Sequence, residues 1–344
     1  MENTFSQRID AFARLGEILK NSGNYNDIIQ QTVARQVIEN SWFIPSFIQN
    51  ALNAIAEMLS AESLEKMQQH YASMPNLDLN KQQQIAVISA GNIPVAAFHD
   101  FFSVLVSGNC YMGKLSSHDK QLLPMLAQIL IEIEPSFKER ISFVEKVSGF
   151  DKIIATGSNN SARYFEYYFG KYPHILRKNR NSLAVLSGNE TDEQLLGLYQ
   201  DTFLYFGLGC RSVSMLFLPE GYDFSRFIEI ANQEGKEIAM HNHYLNNIDF
   251  QKTMYLMNKV SFIDAGIALL VERRQLNSPI GIIHIQYYNS IEEPKQFIHE
   301  EQENIQCVVS EMQEIDNAIP FGKAQYPDII DFADHIDTIT WAAF

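Results

Sequence analysis

Cysteine is scarce in this sequence. Three residues, Cys110, Cys210 and Cys307, are spread over 344 positions and form no CxxC pair. That spacing excludes a disulfide-stapled scaffold, carries no zinc signature and suits a reducing compartment. Positive charge is also thin: 26 Lys and Arg face 41 Asp and Glu, a formal net charge of -15. Such a field opposes a nucleic-acid backbone as partner. It does not exclude an anionic small molecule, because a few local cations and backbone N–H groups suffice to hold a phosphate. Long apolar runs are missing too. The longest, residues 122–133, is broken by Pro124, Gln128 and Glu132, so no transmembrane segment is expected. The first 20 residues form an amphipathic pattern rather than an apolar signal core, and a cytoplasmic location is expected. There is no internal repeat, low-complexity tract or charge block.

What is present is a core-forming composition, 46% hydrophobic and 19% charged, in a length that suits two packed domains. Phe5, Ile9, Phe12, Leu15 and Leu19 recur at helical spacing. A second helix is predicted over 45–59, with Pro45 in its first turn behind the apolar cluster Trp42-Phe43-Ile44. The first 80 residues read as mainly helical, and 74–81 as a polar connection. From Ile85 the rhythm becomes strand, turn, helix. Strands are predicted over 85–90, 110–115, 141–145 and 152–155, with helices ending near Val106, spanning 119–133 and starting near Ser161. This alternation predicts a parallel, doubly wound sheet. A second α/β unit begins near Ser182, with strands over 183–186, 213–218, 280–287 and 305–309 and helices over 191–206 and 224–233. The domains are expected to be 1–178, with 320–344 packing back on it, and 179–319.

Several residues at strand ends invite a chemical reading, yet each has an ordinary one. A cysteine is often an apolar filler. Gly157-Ser158 fits any βα turn, Lys114 fits a solvated surface, and Asn92 beside Gly91 fits a turn. Their order carries more. One strand ends at Gly91-Asn92-Ile93-Pro94 and the next at Gly113-Lys114-Leu115-Ser116. A later strand ends at Thr156-Gly157-Ser158, and Phe206-Gly207-Leu208-Gly209-Cys210 then precedes another strand. Over roughly residues 85–220 this resembles the aldehyde-dehydrogenase superfamily. The resemblance implies a Rossmann-type cofactor domain plus an α/β catalytic domain. It implies Asn92 as an oxyanion donor, Lys114 and Ser116 at the adenosine ribose, Gly157 and Ser158 facing the cofactor phosphates, and Cys210 as nucleophile. The chain is more closely similar to the acyl-CoA reductase branch that includes the fatty-acid reductase of bacterial bioluminescence. The matching pieces are Asn40-Ser41-Trp42-Phe43, Gly91-Asn92-Ile93-Pro94, Gly209-Cys210-Arg211-Ser212, Asn246-Asn247-Ile248-Asp249-Phe250 and Pro320-Phe321-Gly322-Lys323-Ala324-Gln325.

Two departures from the wider superfamily shape the expected reaction. Enzymes that oxidise free aldehydes carry a glutamate upstream of the cysteine, in a Glu-Leu-Gly-Gly-Lys segment, to activate water. Here the stretch is Leu176-Arg177-Lys178-Asn179-Arg180, with leucine at that position. Without that base, hydrolysis of an acyl-enzyme is slow, and exchange with a thiol such as coenzyme A is favoured. The alternative is another carboxylate, such as Glu190. Members that prefer NAD place a glutamate three residues after the lysine. Ser117 stands there instead, followed by His118, and tolerates a 2′-phosphate that Lys114 can pair with. Ser117 also suits the start of the next helix. The resemblance therefore implies NADPH-dependent reduction of a fatty acyl-CoA to an aldehyde. Cys210 attacks the acyl-CoA carbonyl, Asn92 and the Cys210 N–H hold the oxyanion, and hydride reduces the resulting thioester. Competing readings are a cysteine acyltransferase or thioesterase and a non-catalytic acyl-binding subunit. Either a homo-oligomer or an acyl-transferring partner protein is compatible with the sequence. Trp42, Phe43 and Phe47 suit an acyl tunnel or plain core equally. His241 and His243 have no derivable role.

Overall fold

The computed structural model describes residues 4–74, 79, 82–157 and 159–344. The backbone divides into two units, Met1–Asn179 with Tyr326–Phe344, and Arg180–Gln325.

The first unit opens with helices. In α1 (Phe5–Asn21) Ile9, Phe12, Leu15 and Leu19 are all buried, and Thr4 closes a capping box with Gln7. Next come α2 (Asn26–Glu39), α3 (Pro45–Met58) and α4 (Ala61–Ala72). The sequence reading has no counterpart to α2. Only Ile29, Val33 and Gln36 of that helix are buried, a stripe too narrow to stand out. Phe43 and Phe47 lie in the core of this unit. Most of the predicted connection at 74–81 lies outside the described residues.

The sheet of this unit is built from β1 (Gln84–Ile88), α5 (Phe98–Val106), β2 (Cys110–Lys114), α6 (Leu122–Ile133), β3 (Ile141–Phe143), β4 (Lys152–Thr156), α7 (Asn159–Phe169) and β5 (His174–Arg177). All its pairings are parallel, in the order β3-β2-β1-β4-β5. The chain winds outward from β1 through β2 to β3, then returns past β1 to β4. The order therefore reverses between β1 and β4, where doubly wound sheets bind ligands beyond the carboxyl ends of their strands. Two sequence expectations need correcting. The helix predicted from Asp119 begins at Leu122, because the Asp119 carboxylate accepts from Leu122 N at 3.4 Å and from Val95 N at 2.8 Å instead of entering the helix. β5 has no predicted counterpart. It is short, and its buried Arg177 pairs with Asp100 at 2.5 Å.

The second unit contains β6 (Asn181–Val185), α8 (Asp192–Phe203), β7 (Val213–Pro219), α9 (Ser225–Glu234), α10 (Asn242–Met257), β8 (Ile263–Asp264), β9 (Leu269–Glu272), β10 (Ile282–Tyr288), α11 (Glu292–Glu300) and β11 (Ile305–Val309). The sheet order is β11-β6-β7-β10-β9-β8, parallel except for the short edge strand β8. Leu183, Val185, Met215, Phe217, Phe297 and Val308 form part of one buried cluster. The chain then returns to the first unit and ends there in α12 (Thr338–Ala343). Arg177 donates to Ala333 O and Thr338 Oγ1, and Asn109 donates to Ala342 O, so this segment is part of that unit's core. Among the described residues no helix is long and apolar enough to cross a membrane.

Candidate active site

In the first unit, the carboxyl ends of β2 and β4 carry the residues singled out for cofactor binding, and the carboxyl end of β1 carries Asn92, singled out as an oxyanion donor. Gly91 and Asn92 follow β1, Lys114 closes β2 with Ser116 and Ser117 just beyond, and Gly157 follows β4; Ser158 lies outside the described residues. Two of the turns pack tightly. A Cβ on Gly91 would fall 2.2 Å from Ser116 Oγ, so the β1 turn can approach the β2 turn only without a side chain. Ser116 Oγ accepts from His118 N at 3.2 Å, and the His118 carbonyl accepts from Gln36 and Asn40 at 2.9 and 3.1 Å. The turn after β2 is thus anchored to α2 and to the Asn40 turn that follows it. Lys114, Ser117 and His118 are exposed. The only carboxylate in this stretch is Asp119, buried and facing two backbone amides, and burial raises its pKa to about 6. The rim therefore offers an ammonium and hydroxyls with no exposed acid between Lys114 and Ser117. That donor set fits a phosphate-bearing dinucleotide.

In the second unit, Cys210 lies between α8 and β7 on a strained segment. Thr191 and Gln194 form a capping box that starts α8. After the helix Tyr205, Phe206 and Gly207 adopt φ of 55°, 55° and 71° in succession. Glycine takes such values readily, whereas aromatic residues do not. Strain of this kind persists only where the surroundings impose it. Tyr205 and Phe206 are both buried, and Phe206 packs on His241 and Tyr244 with ring centroids 4.4 and 5.2 Å away. Tyr244 is fixed by donating to Ile267 O at 2.9 Å. His241 accepts from Tyr244 N through Nδ1 at 3.2 Å and caps α10. The structure thereby gives His241 a bracing role that the sequence did not reveal.

The three thiols differ sharply. Cys210 is exposed. Cys110, in β2, has its pKa raised by burial, partly offset by Arg140. Cys307, in β11, has its pKa pushed up to about 11, mainly by burial. The thiolate is the nucleophile, so exposure sets Cys210 apart from two thiols whose burial favours the protonated form. Sequence distance hid the setting of Cys210. Its carbonyl accepts from Ser182 Oγ at 3.0 Å, and the same oxygen lies 3.1 Å from Cys307 Sγ.

The segment Phe321–Gln325, noted in the sequence only for its resemblance, secures the other side of this loop. Asp201 accepts from Gly322 N and Ala324 N at 2.7 and 2.9 Å, and burial raises its pKa to about 7. Gln325 donates to Ser212 Oγ at 3.3 Å, and that oxygen also accepts from Gly209 N at 3.2 Å. The approach of this segment depends on Gly197 in α8. A Cβ there would lie 2.7 Å from the Phe321 carbonyl carbon and 2.8 Å from Gly322 N. In an unhindered helix Gly→Ala gains about 1 kcal/mol. Gly197→Ala is expected to have the opposite sign, a loss of about 1–3 kcal/mol from overpacking. Urea denaturation measures it, and a stabilised variant would show that the contact yields freely.

Glu190, the other carboxylate considered as a water-activating base, follows β6 and accepts from Ser187 N and Oγ at 2.6 and 2.8 Å. It thus lies beyond the carboxyl ends of β6 and β7, whereas Cys210 precedes the amino end of β7. The two strands are parallel, and β7 has 7 residues. At about 3.3 Å per residue, roughly 20 Å separates Glu190 from Cys210, too far for a base acting on a Cys210 thioester. Leu176 sits on β5 beside Ala155, at the carboxyl end of the first sheet.

Comparison with known proteins agrees with this architecture. Aldehyde dehydrogenase 21 from Physcomitrella patens, solved with succinate, is 13% identical with a TM-score of 0.64, over 90% of this chain and 74% of that one. An NAD-dependent benzaldehyde dehydrogenase from Corynebacterium glutamicum is 14% identical with a TM-score of 0.62, over 94% of this chain and 84% of its own. The aldehyde dehydrogenase KauB from Pseudomonas aeruginosa is 12% identical with a TM-score of 0.60, over 86% and 69%. At these identities the likeness establishes the aldehyde-dehydrogenase fold. A search of curated proteins finds no match to this sequence. The acyl-CoA reductase (LuxC) family matches residues 13–246, about two thirds of the chain. Family and fold agree with the resemblance read from the strand-end turns: the chain belongs to the acyl-CoA reductase (LuxC) family, and it is an oxidoreductase.

Proposed function

We propose that this protein reduces a fatty acyl-CoA to an aldehyde with NADPH, through an acyl thioester on Cys210. The observation that carries the reading is the exposed Cys210 on a braced, strained loop, with the other two thiols driven toward the protonated form by burial. The Cys210 thiolate attacks the acyl carbonyl, the carbon–sulfur bond to coenzyme A breaks, and coenzyme A leaves as a thiolate. The Cys210 N–H and the Asn92 side chain are assigned to the oxyanion, a role in which one donor is worth about 3–4 kcal/mol. NADPH, when bound, supplies a hydride for the thioester carbon. The carbon–sulfur bond to Cys210 then breaks, releasing aldehyde and restoring the thiolate. Lys114, Ser116, Ser117, Gly157 and Ser158 are the residues assigned to the cofactor. The test is to incubate the protein with NADPH and acyl-CoAs of graded length. NADPH oxidation matched by aldehyde is expected. Acyl transfer to a thiol or to water with no NADPH consumed would overturn the proposal in favour of a transferase or thioesterase.

Cofactor choice gives a separate measurement. Ser117 is exposed next to a rim without a free acid, so Ser117→Glu introduces a carboxylate where a 2′-phosphate would sit. Like charges at such range cost on the order of 1 kcal/mol, and the NADPH-to-NADH preference is expected to fall about fivefold. Fluorescence titration of both cofactors reads the ratio. A wild type that strongly prefers NADH contradicts the assignment of Ser117 and Lys114.

A further inference from the structure

Ser182 is the second residue of β6 and is completely buried, so its hydroxyl must find its partners inside the protein. Both strands that flank it are irregular at this point. On β7 the pairing passes from Ser182↔Val213 to Leu183↔Met215, and on β11 from Asn181↔Ile305 to Leu183↔Val308. Each neighbour therefore carries one extra residue opposite Ser182. Bulges of this kind re-aim side chains and recur next to reactive centres. Here they leave a gap in the backbone ladder that the Ser182 side chain fills. Its oxygen accepts from Cys307 N at 3.2 Å.

The direction of the remaining bonds follows from proton count. The Cys210 carbonyl can only accept, so the single hydroxyl proton of Ser182 goes to it, at 3.0 Å. The contact with Cys307 Sγ at 3.1 Å must then have the thiol as donor. Burial keeps that thiol protonated at neutral pH. Two donors on Cys307 thus fix the Ser182 oxygen, and Ser182 fixes the carbonyl of Cys210.

We propose that Ser182, oriented by Cys307, is a positioning residue for the nucleophile: it sets the peptide of Cys210 so that its thiol approaches the acyl carbonyl carbon from the face of the thioester. This rests on the assignment of Cys210 as the acylated residue. Ser182 touches neither substrate nor cofactor in this role. Its removal lowers the rate of attack without changing how acyl-CoA is held. A misplacement of about 1 Å at a reacting atom can cost 10²-fold.

The experiment measures single-turnover acylation by acyl-CoA in the full-length protein, with NADPH omitted and the labelled residue identified by peptide mapping. Ser182→Ala is expected to acylate roughly 10- to 100-fold more slowly. The acyl-CoA concentration at half-maximal rate stays close to wild type, as does alkylation of Cys210 by iodoacetamide, which needs no aligned carbonyl, while the melting temperature falls modestly because buried partners of the hydroxyl are left unpaired. Ser182→Thr keeps the hydroxyl and is expected to recover most of the acylation rate. Normal acylation in a folded Ser182→Ala protein labelled at Cys210 overturns this inference alone. So does an equal loss of acylation and alkylation, which marks general disorder of the loop. Label on another residue in the wild type overturns the proposed function along with it.

Discussion

Cys210→Ala is expected to take up no acyl label and to consume no NADPH with acyl-CoA, while binding NADPH about as well as wild type. The predicted loss is on the order of 10⁴-fold or more, the scale reached when a covalent nucleophile is removed. Cofactor binding survives because the residues assigned to it, at the ends of β2 and β4, belong to the other unit. Cys110→Ala is the natural control. That thiol lies in β2 of the first unit, half-buried and raised in pKa, and its loss leaves acylation close to wild type. Acid-stable mapping of a labelled acyl group decides the matter. A label on Cys110 or Cys307 in the wild type removes the basis for Cys210.

Leu176→Glu has the next largest expected effect, and it acts on the fate of the acyl group. In the wild type, without NADPH, the acyl-enzyme should persist and be discharged faster by coenzyme A than by water. The family resemblance puts the water-activating glutamate of aldehyde-oxidising relatives at Leu176, and Glu190 lies at the wrong end of its sheet to replace it. Leu176 is half-buried on β5, so a carboxylate can be accommodated there with part of its surface in water. A well-placed general base contributes roughly 10²–10⁴-fold. An imperfectly oriented one is expected to raise hydrolysis about tenfold or more, read as the decay of labelled acyl-enzyme in buffer. Rapid wild-type oxidation of free aldehyde to acid without coenzyme A would mean that another residue activates water.

The alternation of strands and helices from Ile85 onward was readable because each strand is a short apolar run closed by a turn, and the parallel sheets follow from that alternation. Elements whose burial is not announced by an apolar pattern escaped. In β5 the inward Arg177 is neutralised by Asp100, a pairing across 77 positions that no local rule exposes. α10 has apolar residues on more than one side, with Phe250, Leu256 and Met257 exposed opposite buried Tyr244 and Ile248, so its helical period is blurred. In the candidate site, the strand-end positions of Asn92, Lys114 and Gly157 were legible because each apolar strand closes on a glycine-containing segment. The supports around Cys210 were not. Ser182 reaches Cys307 across 125 positions and Asp201 reaches Gly322 across 121. The left-handed run at Tyr205 and Phe206 runs against what those residue types prefer, and the packing of Phe206 on His241 and Tyr244 is a contact that no local pattern exposes.

The first unit is split in sequence: Tyr326–Phe344 completes a body begun by Met1–Asn179. Vectorial synthesis therefore imposes a schedule. When β5 leaves the ribosome, the Arg177 guanidinium already has Asp100, yet its other acceptors at Ala333 and Thr338 are still untranslated. Lys152 likewise waits for the carbonyls of Trp341 and Ala342. At about 5–20 residues per second, translating Arg180–Gln325 takes roughly 7–30 s. The nascent first sheet passes that interval with the α12 side of its core uncovered, while the contiguous second unit can fold as soon as it emerges. The unit made first is thus the last to close, and its exposure to chaperones and proteases during translation is set by the length of the segment inserted within it.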